Sequence, residues 1–513
     1  MNTRRPITLG FVLALTLTAQ GQAQRKPGPR TLDASFDAAI DSVRAAWKVP
    51  GLAIAVVKGN QVIYAKGFGF KDLEQKAAVT TKTKFAIGSV SKSFTVTALG
   101  MQAAEKKFEW DAPVRRALPD FMMFDPVATE RMTPRDLVTH RSGLPRHDVT
   151  WRAGGFNRNE LYQRLRYLEP NKDFRAVWQY QNLMFLTAGI LSAKLDGTDW
   201  ESVVRTRVFG PLGMSTADFS VSDLQRSPDF SYGYARNPAD SVVRVPYRVI
   251  DAIGPAGSIN ASVEEMAKYL TMHLNQGTFE GREILASAQA REMQTPQMVI
   301  PPSPFPTAGG TDLGHEQYGM GFFIGTFRGH KLVYHGGNID GFSAEVNFLP
   351  NDSIGVVVLT NLNGTSTRDF IPWLVYDRLL GLDRLDWSRR YLDVFNRARA
   401  RADSARAKEV AGKVANTTPT HPLSDFAGTY NHPGYGNITI AQADGKLTFK
   451  FGMVEMGMAH WHYDVFETEP RSVATPIRWK VQFLMDASGN ITGLSLPIEP
   501  ALKPIIFTRQ KAQ

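Results

Sequence analysis

An apolar segment with helical character runs from Phe85 to Met101, with the sequence FAIGSVSKSFTVTALGM. Its large apolar side chains fall on all sides of a helix and not along one stripe, which is typical of a helix buried in a core. Earlier in the chain, Leu32 to Trp47 has helical periodicity, and the runs Leu52 to Lys58 and Gln61 to Gly69 predict a hairpin with its turn at Gly59-Asn60. The pattern therefore predicts a hairpin that leads toward a buried helix.

Strand patterns return in the second half of the chain, after residues 102 to 250, which carry helix and loop patterns with several proline stops. From Tyr318 to Asn361, three strand-like runs are separated by turns at 327–329 and 350–352. Together with the early hairpin they predict an antiparallel sheet of about five strands flanked by helices, one of them over Phe370 to Leu380. A hairpin and a later meander in one sheet, with helices inserted between them, define an α+β fold.

A charged, alanine-rich segment from Arg397 to Lys413 separates this region from the last one. Its interspersed acidic residues favour a solvated connector helix. From Leu423 onward, short strand patterns alternate with turn residues and predict a small antiparallel β-barrel of roughly 90 residues. The predicted strands are Gly428–Tyr430, Asn437–Ala441, Lys446–Phe451, Tyr463–Glu467, Val481–Met485, Ile491–Leu496 and Ile505–Thr508.

The beginning of the chain has the pattern of a secretory signal. Arg4 and Arg5 precede an apolar run from Ile7 to Leu17, and small residues follow up to Ala23. This pattern predicts a cleavable signal peptide over residues 1–23. Because the apolar run is too short to span a bilayer, we expect a secreted or periplasmic protein with no stable membrane insertion after cleavage.

Composition narrows the classes of function. At 513 residues the chain is longer than one ordinary core requires, so two domains with additions are expected. It contains no cysteine, which excludes disulfides and a lipid-modified N-terminal cysteine.

The charges and histidines of the chain indicate neither nucleic-acid nor metal binding. The net charge of +10 comes with no basic stripe interleaved with aromatic residues, so nucleic-acid binding is not predicted. No histidine has convincing metal-ligand spacing, and neither a metal nor a cofactor is predicted.

Ser89 and Lys92 are the candidate reactive pair of the buried helix. Positions three apart share one face of a helix, so the hydroxyl and the amine can meet. Burial makes the charged form of a lysine costly and lowers its pKa, and a neutral amine can then accept the proton of the hydroxyl. Taken alone, Ser-x-x-Lys is more often a solvated helix start with serine as the N-cap.

Two later motifs supply further polar groups. Tyr180 and Asn182 are two apart, so an extended segment can direct a phenol and a carboxamide into one cleft. His335-Gly336-Gly337, followed by Asn338, stands at the predicted end of the strand Lys331 to Tyr334. Paired glycines there allow another backbone or a ligand to approach closely. In isolation, a motif like the first one more often belongs to the hydrophobic core, and a motif like the second one more often forms a turn.

Three motifs together resemble those of the penicillin-recognising serine hydrolases, namely Ser89-Val-Ser-Lys92, Tyr180-Gln-Asn182 and His335-Gly-Gly337, in this order. That family includes class C β-lactamases, D,D-peptidases, D-aminopeptidases and related esterases. The similarity extends over about residues 35 to 380. Additional similar stretches are Leu137–His147, Gly254–Leu270 and Tyr318–Ile324.

The resemblance also implies how the chain is divided. Between the signal peptide predicted over 1–23 and the charged helical linker predicted over 396–420, it implies a β-lactamase-like serine hydrolase domain over 24–395. The last region, 421–513, resembles the lipocalin-like module that follows this domain in some family members. The implied fold is therefore β-lactamase-like, with a helical domain beside the sheet and a small antiparallel barrel after it.

The resemblance assigns roles to the motif residues. Ser89 is the expected acylated nucleophile and Lys92 its base, and Tyr180 shares the proton and passes it to the leaving group. Which of lysine and tyrosine is the base is disputed for such sites in general. The backbone N–H groups of Ser89 and Asn338 are the expected oxyanion hole, worth about 3 to 4 kcal/mol per donor. Asn182 is expected to bind the acyl-side amide of the substrate.

The third motif departs from the class C pattern, because His335 replaces the lysine of Lys-Thr-Gly. A lysine keeps a fixed charge for a substrate carboxylate, whereas a neutral histidine offers only a hydrogen bond. His335 and Gly337 are therefore assigned to a substrate site more like those of aminopeptidases and esterases. The expected function is hydrolysis of amides or esters of small molecules or short peptides, with D-amino-acid peptides among the candidates. A class C-like β-lactamase, or a protein acylated without turnover, is the alternative, and oligomerisation stays open.

Overall fold

The structure is a computed structural model that describes residues 31–305, 307–470 and 477–511. The predicted signal peptide over 1–23 lies outside the described residues. In the part of the chain that is described, no helix combines the length and the apolar composition needed to cross a bilayer.

Helices are distributed over the whole first part of the chain, and local capping explains several of their starts. The side chain of Asp33 accepts a hydrogen bond from the backbone of Ser35 at the start of the helix Ala34–Ala46, and Ser262 and Glu265 form a capping box at the start of the helix Val263–Leu274. The helices are α1 (Ala34–Ala46), α2 (Ser91–Ala104), α3 (Pro126–Arg131), α4 (Pro134–Val138), α5 (Val149–Arg152), α6 (Arg158–Arg164), α7 (Asn182–Asp196), α8 (Trp200–Val204), α9 (Gly210–Leu212), α10 (Val221–Arg226), α11 (Gly254–Gly257), α12 (Val263–Leu274), α13 (Ser287–Met293), α14 (Thr367–Leu379), α15 (Trp387–Ala411) and α16 (Leu423–Phe426).

The strands before α14 form one large sheet and three small ones. They are β1 (Gly51–Lys58), β2 (Gln61–Asp72), β3 (Ala77–Ala78), β4 (Phe85–Ala86), β5 (Tyr234–Arg236), β6 (Val242–Arg244), β7 (Asn260–Ala261), β8 (Thr278–Phe279), β9 (Arg282–Glu283), β10 (Met298–Val299), β11 (Gln317–Tyr318), β12 (Phe323–Phe327), β13 (His330–Ile339), β14 (Phe342–Leu349) and β15 (Ile354–Thr360). The large sheet has the order β10-β11-β12-β13-β14-β15-β1-β2-β3, and its neighbouring strands pair antiparallel.

The predicted α+β fold is confirmed, but the sheet is larger than the expected five strands. Nine strands take part, of which β3, β10 and β11 have only two residues each. The region after Tyr318 contains one long strand more than predicted, because the chain reverses at Asp340-Gly341 between β13 and β14. Gly341 has a φ of +89°, which suits glycine at this tight reversal.

Both faces of the central strands are buried. Along β1, Leu52, Ile54 and Val56 belong to a core that includes residues of α1 and α14. The alternate residues Ala53 and Ala55 belong to the larger core that includes the apolar side chains of α2 and α12. Because neighbouring residues of a strand point to opposite faces, this pattern places α2 against one face of the sheet.

The last region is a closed barrel of eight strands, which confirms the predicted barrel. Its strands are β16 (Gly428–His432), β17 (Gly436–Ala443), β18 (Lys446–Phe451), β19 (Val454–His462), β20 (Val465–Thr468), β21 (Lys480–Met485), β22 (Ile491–Leu496) and β23 (Ile505–Arg509). The strand missing from the prediction is β19, VEMGMAHWH. Its glycine, alanine and methionines have weak strand preference, and its place is decided by pairing with β18 and β20.

The connector is a longer helix than predicted. Helix α15 already begins at Trp387, ten residues before the expected start at Arg397. The side chain of Asp386 caps the helix by accepting from the backbone of Arg389, and the buried Trp387 indole donates to Asp377 at 2.7 Å. The expected boundary between residues 395 and 396 therefore falls inside α15.

Candidate active site

Ser89 lies in a single 3₁₀ turn, Gly88–Val90, that leads directly into α2. Gly88 has a φ of +53°, and the Ser91 hydroxyl donates to its carbonyl oxygen at 2.8 Å. Every residue of α2 from Ser91 to Gln102 is buried, as the apolar pattern predicted, whereas Ser89 is partly exposed. The turn therefore presents one accessible hydroxyl at the head of a buried helix.

Lys92 is completely buried, one turn beyond Ser89. Its Nζ lies 3.1 Å from the Ser89 Oγ, 2.7 Å from the Asn182 Oδ1 and 2.8 Å from the carbonyl oxygen of Ala256. Burial, and then the positive charge of Arg146, lower the pKa of Lys92 well below its usual value. A neutral amine has two N–H groups and one lone pair. In the neutral form, the oxygens of Asn182 and Ala256 accept the two N–H groups, and the lone pair faces the hydroxyl of Ser89.

Tyr180 is half-buried and lies two residues before α7. Its ring centre is 4.7 Å from the Lys92 Nζ and 4.9 Å from the guanidinium carbon of Arg146. Burial raises the pKa of the phenol, and a hydrogen bond with Ser89 and the charge of Arg146 oppose that rise. Because the net pKa is raised, Tyr180 keeps its proton at neutral pH.

Asn182 is the first residue of α7 and connects Lys92 to a buried carboxylate. Its Nδ2 donates to the Asp148 Oδ1 at 2.9 Å, while its Oδ1 accepts from Lys92. Burial raises the pKa of Asp148, but Arg146 and the hydrogen bond from Asn182 outweigh it, and the net pKa is lowered. In this arrangement both ends of the Asn182 carboxamide are engaged by protein groups.

The third motif lies inside β13 and not at a strand end, because β13 continues to Ile339 and pairs with β14 from Val333 to Ile339. This corrects the expectation of a strand that ends at Tyr334. The strand packs closely on the nucleophile turn: a Cβ on Gly337 would lie 1.8 Å from the carbonyl oxygen of Ile87 and 3.1 Å from the backbone nitrogen of Ser89. A Cβ on Gly88 would lie 2.8 Å from the backbone nitrogen of Asn338. The absence of side chains at both glycines brings the two candidate oxyanion donors together.

His335 is buried in the wall beside the motif. Its Nδ1 donates to the carbonyl oxygen of Gly336 at 2.7 Å, and its Nε2 accepts from the Tyr318 hydroxyl at 3.1 Å. Burial, and then the nearby Lys92, lower the pKa of His335 to about 3. The ring is therefore neutral at neutral pH, as expected for this position, but both ring nitrogens already have protein partners.

Arg368 is a site residue that the sequence did not indicate. Its guanidinium donates to the carbonyl oxygens of Gly337 and, at 3.2 Å, Ala344. The C=O of Gly337 and the N–H of Asn338 belong to one planar peptide, so a group that holds the oxygen also directs the N–H. Arg368 lies 31 residues after Gly337, in α14, and no local pattern marks it.

Arg146 and Asp148 were also missed as functional residues. Arg146 belongs to the similar stretch Leu137–His147, which carried the resemblance but no assigned role. The two side chains form an ion pair at 2.7 Å beside Tyr180 and Asn182. A polar pair next to a recognised motif was the available signal, and only folding places it against residues some 35 positions away.

The chain belongs to the beta-lactamase family, whose model matches residues 36–381. Within that family it is a member of the penicillin-recognising serine hydrolases, as the three motifs indicated. A second model, a domain of unknown function called DUF3471, matches residues 412–509 and so covers the barrel.

Relatives support this assignment across most of the chain. An unguisins hydrolase from Aspergillus violaceofuscus is 28% identical over 456 residues, covering 81% of this chain and 78% of the relative. The protein flp of Staphylococcus aureus is 24% identical over 336 residues, covering 64% of this chain and 62% of that protein.

Solved structures share the fold. The octameric penicillin-binding protein homologue from Pyrococcus abyssi matches with a TM-score of 0.59 and 23% identity, covering 92% of this chain and 99% of that one. A class C beta-lactamase from Rhodobacter sphaeroides matches with a TM-score of 0.52 and 21% identity, covering 67% of this chain and 100% of that one. The first match extends over both the sheet and the barrel regions.

Proposed function

We propose that this protein is an exported serine hydrolase that cleaves amide or ester bonds of small or peptidic substrates through an acyl-enzyme on Ser89. One observation carries the proposal: the buried Lys92 Nζ lies 3.1 Å from the Ser89 Oγ, with its other two neighbours both hydrogen-bond acceptors. A neutral lysine in that position is a general base for the hydroxyl.

The reaction begins when the Ser89 oxygen attacks the substrate carbonyl carbon and its proton moves to the Lys92 lone pair. The carbonyl π electrons move to oxygen, where the N–H groups of Ser89 and Asn338 stabilise the negative charge. Collapse of this intermediate breaks the bond to the leaving amine or alcohol, which takes the proton of Tyr180, and Lys92 returns its proton to Tyr180. Water then attacks the acyl carbon and gives a proton to Lys92; the bond between the acyl carbon and the Ser89 oxygen breaks, and Lys92 passes that proton to the Ser89 oxygen as the acid product leaves.

The substrate class follows from the third motif and from the relatives. His335 is neutral and hydrogen-bonded, so it holds no fixed charge for a β-lactam carboxylate. Curated relatives from two Aspergillus species are named unguisins hydrolases, which supports hydrolysis over stable acylation. We include D-amino-acid peptides among the substrates, with β-lactam turnover weak or absent.

Incubation of wild type, Ser89→Ala and the barrel-surface control Ser424→Ala with a D-amino-acid amide, a short acyl ester and nitrocefin tests the proposal. We expect amide or ester turnover in wild type and Ser424→Ala, none in Ser89→Ala, and little nitrocefin hydrolysis. Rapid nitrocefin hydrolysis would instead make the protein a β-lactamase. An intact-mass adduct on Ser89 without turnover would make it a binding protein.

Export and assembly are part of the same proposal. The pattern at residues 1–23 supports cleavage near Ala23, which N-terminal mass determination after expression with an intact leader measures directly. Because the Pyrococcus abyssi homologue is octameric, the assembly of this protein should be measured by light scattering. The unit boundaries at 24–395, 396–420 and 421–513 remain our proposed division of the chain.

A further inference from the structure

The barrel and the hydrolase region enclose a cavity beside the candidate active site. Its volume is about 220 Å³, and it lies between α5 and the hairpin that joins β18 to β19. Met453, Met456 and Trp479 contribute apolar surface from the barrel, and Val149 contributes it from α5. An apolar cavity of about 150 Å³ already holds benzene, so this one has room for an aromatic or branched side chain.

Close contacts fix the barrel at this position. The backbone nitrogen of Met453 donates to the carbonyl oxygen of Ala153 at 2.9 Å, and a Cβ on Gly452 would lie 1.9 Å from that oxygen. Elsewhere, the hydroxyl of Tyr435 is 2.6 Å from the Nδ1 of His147, whose backbone nitrogen donates to Glu499 at 2.8 Å. The barrel therefore contacts the chain on both sides of Asp148.

The cavity is joined to the reactive groups through two short links. Val149 directly follows Asp148, whose carboxylate accepts from Asn182, and Asn182 in turn contacts Lys92. On the other side, Arg248 lines the cavity and pairs with Asp340 at 2.6 Å. Asp340 lies two residues after Asn338, the candidate oxyanion donor.

Arg248 also extends the connection toward the nucleophile. It lines a second cavity together with Ala86 and Gly257, and a Cβ on Gly257 would lie 3.8 Å from the carbonyl carbon of Gly88. The two cavities therefore share Arg248 as a common wall residue. Through Val149 and Asp148 the barrel cavity is linked to Asn182, which is expected to hold the acyl-side amide of a substrate.

We infer that the barrel builds a specificity subsite, in which Met453, Met456 and Trp479 receive an apolar side chain on the acyl part of the substrate cleaved at Ser89. This inference rests on the proposed function and adds a substrate class to it: peptidic substrates with an aromatic or large aliphatic residue on the acyl side of the cleaved bond. Burying such a side chain stabilises the transition state in proportion to the apolar area removed from water.

The test compares p-nitrophenyl esters of N-acetylated alanine, phenylalanine and tryptophan, in both stereochemical forms, with the full-length mature protein. We expect wild type to prefer phenylalanine over alanine by about tenfold or more in kcat/KM, in at least one form. Met453 is 68% exposed, so Met453→Glu should fold and should reduce that preference below about threefold. The matched control is Ile506→Glu, a barrel residue 58% exposed and absent from the cavity lining, which should change nothing.

A second variant makes the opposite change. Met456→Ala enlarges the cavity and should raise the ratio of tryptophan to phenylalanine esters by about threefold or more. No phenylalanine preference in wild type, or an unchanged preference in Met453→Glu, overturns the subsite while Ser89 still turns over the esters. If no ester is turned over and a fluorophosphonate leaves Ser89 unlabelled, the proposed function fails, and the subsite with it.

Discussion

The carboxamide oxygen of Asn182 lies 2.7 Å from the Nζ of Lys92, so the side chain expected to bind substrate also fixes the candidate base. Its amide nitrogen is held in turn by Asp148 at 2.9 Å. The assignment of the two amide ends follows from these partners, since Asp148 can only accept when ionised. Asn182 therefore gives Lys92 an acceptor without a negative charge, which favours the ammonium form less than a carboxylate would.

Replacing Asn182 by aspartate tests that electrostatic role. A carboxylate beside Lys92 favours the ammonium form, so the pKa of Lys92 should rise and the base should be lost at neutral pH. We expect kcat/KM at pH 7 to fall about 100-fold, and the acid limb of the pH–rate profile to move to higher pH. Asn490→Asp, in an exposed barrel turn, is the matched control. If the acid limb of the Asn182→Asp profile lies at the same pH as that of wild type, Asn182 does not set the charge state of Lys92.

Gly337→Ala should separate β13 from the nucleophile turn. The new Cβ would lie 1.8 Å from the carbonyl oxygen of Ile87, and backbone can move away only by shifting the strand. We expect a loss of about 1 to 3 kcal/mol in the free energy of unfolding and about a 100-fold loss in kcat, as for removal of one oxyanion donor.

The matched control for that change is Gly325→Ala in the neighbouring strand β12. There the nearest atom to a new Cβ is 3.7 Å away, which is ordinary contact. Its kcat and melting temperature should stay close to those of wild type. A Gly337→Ala variant with wild-type kcat would rule out a close fit between strand and turn as a requirement for turnover.

Tyr180→Phe should distinguish substrates by their leaving group. The pKa of the phenol is raised, so it is protonated at neutral pH and can donate to a departing amine. An amine needs that proton, whereas p-nitrophenolate leaves without one. We expect kcat on an amide to fall about 100-fold, and on a p-nitrophenyl ester by less than about tenfold. Equal losses on both substrates would argue that Tyr180 acts on Ser89 and not on the leaving group.

Lys92→Met should change how stability depends on pH. With its pKa lowered in the fold, Lys92 binds a proton more readily when the chain is unfolded, so its contribution to the free energy of unfolding falls as the pH falls. Methionine has no such dependence. For each unit by which the pH is lowered, Lys92→Met should therefore gain about 1.4 kcal/mol in unfolding free energy relative to wild type, as long as the folded amine stays neutral.

Denaturant unfolding at several values between pH 7 and 9 measures that difference. Lys446→Met, at an exposed barrel position, is the control and should show a difference that does not vary with pH. If the Lys92→Met difference is equally constant, then Lys92 is charged in the fold, and its role as a neutral base is excluded.

Local patterns predicted the elements that rest on local physics. The apolar run over 85–101 has its hydrophobic residues all round a helix, and α2 is buried as that pattern requires. The hairpin of β1 and β2 followed from alternation and the turn at Gly59-Asn60. The same logic failed for β19, whose weak strand formers are held by neighbours on both sides. It also failed at Asp340-Gly341, where the chain reverses between β13 and β14 a few residues after the motif His335-Gly336-Gly337.

The sequence by itself indicated the pairing of Ser89 with Lys92, because a spacing of three positions brings two side chains together across one helical turn, here formed by the 3₁₀ turn and the start of α2. Motif order then identified Tyr180, Asn182 and the glycine-rich strand. Only the tertiary structure decided that Asp148 holds Asn182, that Arg368 holds the Gly337 carbonyl and that His335 has no free nitrogen. Those contacts join segments far apart in the chain, and such distances are set by the packing of the whole fold and not by any local preference.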